Sequence, residues 1–230
     1  MKKVPKKYQP RGFNIIHEDI DLIVGNKAPG ALTVAAKWNR DETIHSALNQ
    51  YVRKGNPRAT KSVYVVHRLD QATSGVLVFA KTEEVMHFLK DNWKSTIKNY
   101  YAIVHGKMPK KSGTIESYLE EDENYVVHSS KDSDKGKLAI TEYEVLKETE
   151  QFSLLKINLL TGKKNQIRVH LAGEGHPIVG DTKYGKANDK HKDLRLHSAV
   201  LEFTHPFNKK RMRFTAPVPA YFKTLIDYNY

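Results

Sequence analysis

Nine consecutive residues direct the interpretation of this chain: His67-Arg68-Leu69-Asp70-Gln71-Ala72-Thr73-Ser74-Gly75. They lie between two short apolar runs, 63–66 and 76–80, whose β-branched and aromatic residues predict buried strands. The polar stretch is then a connection that the core holds at both ends. Such a connection can keep one side chain in a fixed position, and the candidate is Asp70, as a nucleophile, a general base or a ligand.

Two alternative interpretations of this stretch start from the same residues. An aspartate followed by polar residues and glycine is common in turns, where its carboxylate only bonds backbone amides. The letters are also similar to the catalytic loop of protein kinases, His-Arg-Asp-Leu. Here Leu69 and Asp70 are transposed, and neither a glycine-rich phosphate loop nor Asp-Phe-Gly follows, which excludes a kinase.

The order of motifs identifies a family. His67-Arg68-Leu69-Asp70 followed by Thr73-Ser74-Gly75 resembles the signature of the RluA family of RNA pseudouridine synthases, and the resemblance extends from about residue 15 to 219. The other matching motifs are Gly25-Asn26-Lys27-Ala28-Pro29-Gly30, the alternating residues Lys98, Tyr100, Ala102, Val104 and Gly106, the segments 160–170 and 175–185, Arg195-Leu196-His197, His205-Pro206 and Pro217-Val218-Pro219.

Two positions depart from the family pattern in a way that bears on RNA contacts and substrate choice. Lys163 and Asn165 stand where the family usually has arginine and histidine. Lysine keeps the positive charge but lacks the planar fork that arginine offers to a phosphate. Asparagine can hydrogen-bond but does not titrate.

Composition sets independent limits. The 230 residues carry a net charge of +12, which suits a polyanion such as RNA. The absence of cysteine excludes disulfides, thiolate nucleophiles and cysteine-ligated zinc, and with them the zinc base deaminases. The eleven histidines show no metal-binding spacing, so we expect neither a metal nor a cofactor. No signal peptide or membrane-length apolar run is visible, and the default expectation is a cytoplasmic monomer.

Strand and helix patterns alternate without a βαβ rhythm, which favours an α+β fold. Residues 1–14 form a basic extension, and we expect the catalytic domain to occupy 15–230. Apolar residues at helical spacing predict helices over 43–54, 82–94, 166–172 and 220–227, and the acidic block 120–123 predicts a solvated loop. The resemblance implies a large, mainly antiparallel sheet in two lobes, with flanking helices and a central RNA-binding cleft.

The resemblance also implies the catalytic residues. Asp70 is the central carboxylate, acting either by attack on the sugar or by removing a proton from it. Arg168 is its partner, because a guanidinium favours the ionised carboxylate and can hold it in one orientation. Tyr100 is the tyrosine that stacks on the uracil or transfers a proton. Neighbouring strand residues face opposite sides, so Tyr100 and Tyr101 cannot both face the substrate.

Further residues are implied to bind the substrate, each with a structural alternative. Arg68 is the residue that fills the gap left by a flipped uridine, or else it forms an ion pair within its own loop. Leu196 is an apolar wall under the base, or a buried strand leucine. Lys27, Lys163 and Lys164 are phosphate contacts, or solvated charges.

The predicted function is that of an RNA pseudouridine synthase, which isomerises uridines in structured ribosomal or transfer RNA with base flipping. It breaks the N-glycosidic bond of a uridine, turns the uracil and rejoins it through carbon. Two alternatives stay open from the sequence: a catalytically silent RNA-binding or ribosome assembly factor on the same scaffold, and a basic protein that binds nucleic acid generally.

Overall fold

The computed structural model describes residues 9–35, 42–54, 56, 58–130 and 133–230. These residues fall into two units, each with its own internal contacts. The first comprises the chain up to Thr96 together with Val200–Ala216, and the second comprises Ile97–Ala199 and Pro217–Tyr230. No helix within the described ranges is both long enough and apolar enough to span a bilayer.

Before residue 96, the described part of the first unit contains four strands and two α-helices. They are β1 (Phe13–Glu18), β2 (Leu22–Lys27), α1 (Ile44–Arg53), β3 (Tyr64–Val65), β4 (Ser74–Ala80) and α2 (Glu83–Asp91). Strand β2 pairs antiparallel with both β1 and β4, and β3 also pairs with β4. Every residue of β4 is buried, which explains its continuous apolar sequence.

Both helices of this unit begin where their sequences predict. The hydroxyl of Thr43 accepts a hydrogen bond from Ser46 N at the start of α1, and the hydroxyl of Thr82 accepts one from Val85 N at the start of α2. Each threonine thereby satisfies an amide that the first helical turn leaves unpaired. Helix α2 buries Val85 and Leu89 in the core of the unit.

The second unit is built around five antiparallel strands and one helix. They are β5 (Ile97–His105), β6 (Ser112–Glu121), β7 (Val127–Ser130), β8 (Lys137–Glu148), β9 (Phe152–Leu159) and α3 (Gln166–Gly173). The strand order is β5-β9-β8-β6-β7. Strand β10 (Leu196–Thr204) begins in this unit and enters the first unit at Val200, where it pairs with β11 (Arg211–Thr215).

The α+β class is confirmed, whereas the cleft implied by the resemblance stays a prediction. Two local predictions were wrong. Glu120 and Glu121 end strand β6, so only the rest of the acidic block forms a turn. The segment 220–227 contains a single 3₁₀ turn at Ala220–Phe222 instead of a helix. The segment is held in place because Phe222 and Ile226 are buried in a core cluster. This burial does not require a regular helix.

The predicted basic extension overlaps the first strand. Residues 1–8 lie outside the described ranges, so this part of the prediction has no structural counterpart here. Phe13 and Asn14 already pair with β2, and the ring of Phe13 packs edge-on against Phe79 at 5.8 Å between centroids. The folded chain therefore includes at least these two residues of the range 1–14.

Candidate active site

The turn that carries Asp70 is pinned by the loop that follows β2. The carbonyl of Asp70 accepts a hydrogen bond from Thr73 N at 3.1 Å, which closes the turn. The hydroxyl of Thr33 donates to Leu69 O at 2.9 Å and accepts from Leu69 N at 3.4 Å. Gln71 exchanges two hydrogen bonds with the backbone of Gly30. The half-buried Asp70 is thus held by a fixed backbone on both sides.

A fully buried lysine lies beneath this turn. Lys27 has 0% exposure, and its ammonium group donates to Gln71 O at 2.8 Å and to Ala28 O at 2.9 Å. Burial lowers the pKa of Lys27 to about 7, although the negative charge of Asp70 raises it. The expected contact of Lys27 with an RNA phosphate is not supported, because its ammonium group does not face solvent. From these bonds we infer that Lys27 positions the Asp70 turn.

We expect the Lys27→Met variant to turn over roughly 10-fold to 100-fold more slowly, because two buried carbonyls lose their donor and Asp70 loses a nearby cation. The rate is measured as pseudouridine formation at saturating RNA. Lys81→Met is the matched control, since Lys81 bonds Glu18 and Asp19 O, away from the turn. An unchanged rate in Lys27→Met would contradict the positioning role.

The same lysine predicts a pH dependence of stability. Its pKa falls from 10.5 to about 7 on folding, so the unfolded chain binds more protons between these values. Over that window the free energy of unfolding of the wild type should rise with pH relative to Lys27→Met, by on the order of 5 kcal/mol in total. Denaturant titrations at several pH values give this difference directly.

The residues before Asp70 differ in their surroundings. Arg68 is exposed, consistent with either of the roles expected for it. The ring of His67 packs against Trp93 at 4.7 Å between centroids, and its Nε2 accepts a hydrogen bond from Val78 N at 3.3 Å. His67 therefore ties the entry of the loop to β4 and to the segment after α2.

In the second unit, Arg168 is held by a buried bidentate ion pair. Its Nε and one terminal nitrogen each donate to a carboxylate oxygen of Asp181 at 2.8 Å, and its other terminal nitrogen donates to Asn165 Oδ1 at 3.2 Å. Burial would raise the pKa of Asp181, but the hydrogen bonds and charge of Arg168 outweigh it and hold the pKa below its usual range. The guanidinium is thus fixed in one plane. Its pairing with Asp70 stays a prediction.

The structure gives a physical reason for asparagine at position 165. Asn165 precedes α3 with φ +54°, a left-handed conformation that asparagine adopts more readily than most residues. Its amide nitrogen donates to the hydroxyl of Tyr184 at 3.1 Å, while its oxygen accepts from Arg168. The ring of Tyr184 in turn lies 5.2 Å from the guanidinium carbon of Arg168. Asn165 therefore links the two side chains.

A buried polar network fixes the helix that carries Arg168. Gln166 Oε1 accepts from Thr161 Oγ1 and Lys163 N, and its amide nitrogen donates to Ile140 O and Thr141 Oγ1. One helical turn later, His170 bonds Thr141 through Nδ1 and Ser117 through Nε2. These contacts attach α3 to strands β6 and β8. Burial lowers the pKa of His170 to about 4, so it is neutral near pH 7.

His170 predicts a specific loss of stability in acid. Its pKa falls from 6.5 to about 4 on folding, so its contribution is present above pH 6.5 and is lost as the pH falls toward 4. The loss should be on the order of 3 kcal/mol, and it should be absent from His170→Gln. His128→Gln, which changes an exposed histidine, is the control. Parallel acid-unfolding curves for wild type and His170→Gln would contradict this assignment.

The other candidate substrate residues of this unit lie at strand positions. Tyr100 is 7% exposed and pairs with Ile157, whereas Tyr101 packs on the opposite face against a core cluster and the ring of Tyr230. The two side chains therefore lie on opposite faces of the strand, and the substrate contact of Tyr100 stays a prediction. Leu196 is 3% exposed at the start of β10, which is compatible with a wall under a base and with a core leucine alike.

The two lysines of the α3 entry loop have different partners. Lys163 is half-buried, and its backbone amide is bound by Gln166. The ammonium group of Lys164 forms an ion pair with Glu121 and donates to Tyr125 O at 3.3 Å. Both side chains reach solvent, so phosphate contacts stay predictions for both.

A cluster of hydrogen bonds around Asp189 holds the segment between α3 and β10. Asp189 accepts hydrogen bonds from Gly180 N, His105 and His191, at distances of 2.6–2.8 Å. At Gly180, with φ +77°, a side chain would collide with the backbone of Asp193. The cluster therefore holds the segment that begins with Asp181, the partner of Arg168.

One group in the first unit has the composition of a metal site. In the described ranges, Asp19, Asp21 and His205 each place one ligand atom within 4.8 Å of the others. However, His205 Nδ1 accepts hydrogen bonds from Phe207 N and Asn208 N, so its proton lies on Nε2 and faces Asp19 Oδ2 at 3.2 Å. No ring nitrogen is then available as a ligand. The donor set fits a hydrogen-bonded junction of two turns better than a metal ion.

The residues that hold the candidate site residues in place differ in whether a sequence motif marks them. Asp181 lies in a matching motif, which could have marked it as a candidate partner of Arg168. Tyr184 lies in the same motif, whereas nothing local identifies Thr33, whose contact with Leu69 reaches across 36 positions of the chain. Within the first unit the structure brings together Lys27 and Asp70, and within the second Arg168, Asn165 and Asp181.

Comparisons with known proteins match most of this chain. The family model of RNA pseudouridylate synthases matches residues 21–173. An uncharacterized RNA pseudouridine synthase of Mycoplasma pneumoniae is 34% identical over 98% of this chain and 74% of its own length. A protein named ribosomal large subunit pseudouridine synthase D, from Blochmanniella floridana, is 32% identical over 90% of this chain and 70% of its own length.

A solved structure shares the fold. Human RNA pseudouridylate synthase domain containing 4 superimposes with a TM-score of 0.77 at 24% identity, over 94% of this chain and 92% of that one. At this level of identity the likeness concerns the fold alone.

Proposed function

The chain belongs to the RNA pseudouridylate synthase family and is an RNA pseudouridine synthase, and we propose that it acts on large-subunit ribosomal RNA through Asp70. The observation that carries the mechanism is the pinned Asp70 turn, with the buried ammonium group of Lys27 beneath it. The name of the Blochmanniella floridana relative supports ribosomal RNA as the substrate.

In this proposal Asp70 acts on the sugar of a uridine that has been flipped out of its stack. It either attacks the sugar carbon as a nucleophile or removes a proton from the sugar. The N-glycosidic bond breaks, the uracil turns, and a carbon–carbon bond to the same sugar replaces it. Product and substrate have the same atoms, so the net reaction consumes no second substrate.

Other residues position the reactants. Arg168 holds the carboxylate of Asp70 ionised and oriented, and it is itself held by Asp181. Tyr100 contacts the uracil by stacking or by proton transfer. The exposed guanidinium of Arg68 occupies the space that the flipped uridine leaves, because its plane can stack between bases. Lys163 and Lys164 contact phosphates beside the site, and Leu196 lines it.

The experiment uses RNA from cells that lack this gene, separated into large-subunit, small-subunit and transfer RNA. Each fraction is treated with the wild type or with Asp70→Asn, and pseudouridine is counted by nucleoside mass spectrometry. We expect new pseudouridine in the large-subunit fraction with the wild type only. A gain of pseudouridine confined to transfer RNA would contradict large-subunit ribosomal RNA as the substrate. Tight RNA binding with no gain in any fraction would favour the catalytically silent alternative.

A further inference from the structure

An exposed aromatic ring lies at the tip of the hairpin formed by β6 and β7. Tyr125 is 56% exposed and has φ +60°, a left-handed conformation that is uncommon for an aromatic residue. Its amide donates to Asp122 O at 2.9 Å, and the carboxylate of Asp122 accepts from Asn124 N and Val126 N. These bonds specify the turn, so the ring is held out toward solvent by a defined backbone.

Two lysines from other parts of the same unit converge on this turn. The ammonium groups of Lys164 and Lys183 donate to Tyr125 O at 3.3 and 2.9 Å. The ammonium group of Lys164 also lies 5.5 Å from the centroid of the Tyr125 ring. Lys183 is an exposed residue that bonds this turn.

The same lysines connect the turn to Arg168. The ammonium group of Lys183 lies 5.5 Å from the centroid of the Tyr184 ring, and the guanidinium carbon of Arg168 lies 5.2 Å from it. The hydroxyl of Tyr184 accepts hydrogen bonds from Val127 N and from Asn165, which hold its ring close to both cations. These neighbouring cations and rings, which we name the aromatic–basic strip, are Arg168, Tyr184, Lys183, Tyr125 and Lys164; Lys183 contacts Tyr125 through its backbone carbonyl.

We propose that the aromatic–basic strip binds the single-stranded RNA next to the target uridine, with one nucleobase stacked on Tyr125 and a phosphate at Lys183. Single-stranded RNA is typically bound by aromatic rings that stack on bases, combined with cations that follow the backbone. The inference rests on the proposed function, since it takes Arg168 as the end of the strip nearest to the chemistry.

The acidic residues around the turn determine where a base and where a phosphate of the RNA are favoured. Glu121 is paired with Lys164, and Asp122 is occupied by the turn and by His128 at 2.9 Å. Glu120 and Glu123 are exposed and repel phosphate. A base is therefore favoured at Tyr125, whereas the phosphate is favoured at Lys183.

The test compares Tyr125→Asn with Tyr125→Phe. Asparagine adopts the left-handed conformation readily, so this variant removes the ring while preserving the turn, and thermal unfolding checks that it does. We expect Tyr125→Asn to raise the KM for large-subunit ribosomal RNA and the Kd for a fluorescein-labelled oligouridylate, each on the order of tenfold. The kcat should stay within about twofold, because the chemistry is not touched. Tyr125→Phe should bind like the wild type, since stacking needs no hydroxyl.

A second variant and a control complete the design. Lys183→Gln should reduce the slope of log Kd against log salt by about 0.7, the value for one phosphate contact on a single strand. Phe207→Asn removes an 83% exposed ring in the other unit and should leave both constants unchanged. Wild-type affinity for RNA in Tyr125→Asn would overturn the proposal that the strip binds RNA. Equal losses of affinity in Tyr125→Phe and Tyr125→Asn would overturn it as well. A wild type that forms no pseudouridine would overturn the proposed function instead, because the Kd needs no turnover.

Discussion

Asp70→Asn will lose pseudouridine formation by roughly four orders of magnitude, while it keeps its fold and its affinity for RNA. Asparagine preserves the size of the side chain, and the turn depends on backbone groups of residues 69–73 that the substitution leaves unchanged. Only the carboxylate charge is removed, which abolishes both attack on the sugar and proton abstraction from it. Single-turnover assays at saturating RNA give the rate of the chemical step.

Asp91→Asn is the matched control, because it removes an exposed carboxylate at the end of α2 in the same unit. Its rate should equal that of the wild type. Asp70→Ala should be as inactive as Asp70→Asn, which excludes activity regained by deamidation of the asparagine. A normal rate in either Asp70 variant would mean that another group performs the chemistry.

Arg168→Lys should lower kcat about a hundredfold and destabilise the fold by roughly 3 kcal/mol. Lysine retains one charge but cannot make the two parallel bonds to Asp181, so the buried carboxylate keeps an incompletely satisfied oxygen. The bond to Asn165 is lost as well. Because the orientation of the cation changes and not the RNA surface as a whole, KM should change much less than kcat.

The comparison for this variant is Arg213→Lys, which alters an exposed ion pair with Glu202. Exposed pairs contribute little, so its unfolding free energy should change by less than about 1 kcal/mol. Asp181→Asn should resemble Arg168→Lys in kcat, since it removes the group that orients the guanidinium. If Asp181→Asn were fully active, the buried pair would be structural only.

Local patterns predicted much of the fold. The spacing of apolar residues placed α1 and α2 to within a few residues, because this signal acts over successive helical turns. The hairpin of β6 and β7 was not predicted, because its local pattern is ambiguous. Its alternation of polar residues with few apolar ones resembles a solvated loop, and it becomes a strand pair through its register with β8.

Among the residues of the candidate site, some were indicated by sequence motifs and others depend on distant parts of the chain. The loop between two apolar runs pointed to Asp70, and the resemblance to the family implied Tyr100 and Arg168, because the motifs are visible without a structure. The resemblance implied a phosphate contact for Lys27, with a solvated charge as the alternative, but the side chain is buried and bonds two backbone carbonyls. Burial depends on what covers a side chain from distant parts of the chain, and charge type does not encode it.

The sequence by itself therefore determined the α+β class, the family signature and the identity of the proposed catalytic carboxylate, since each follows from short-range pattern. The tertiary structure alone decided which groups hold those residues: Lys27 under the Asp70 turn, Asp181 across from Arg168, and Tyr125 beside Lys183. These contacts join residues that are 13 to 58 positions apart. They arise only when strand register and loop closure bring the chain together, because hydrogen bonds and ion pairs form over a few ångströms.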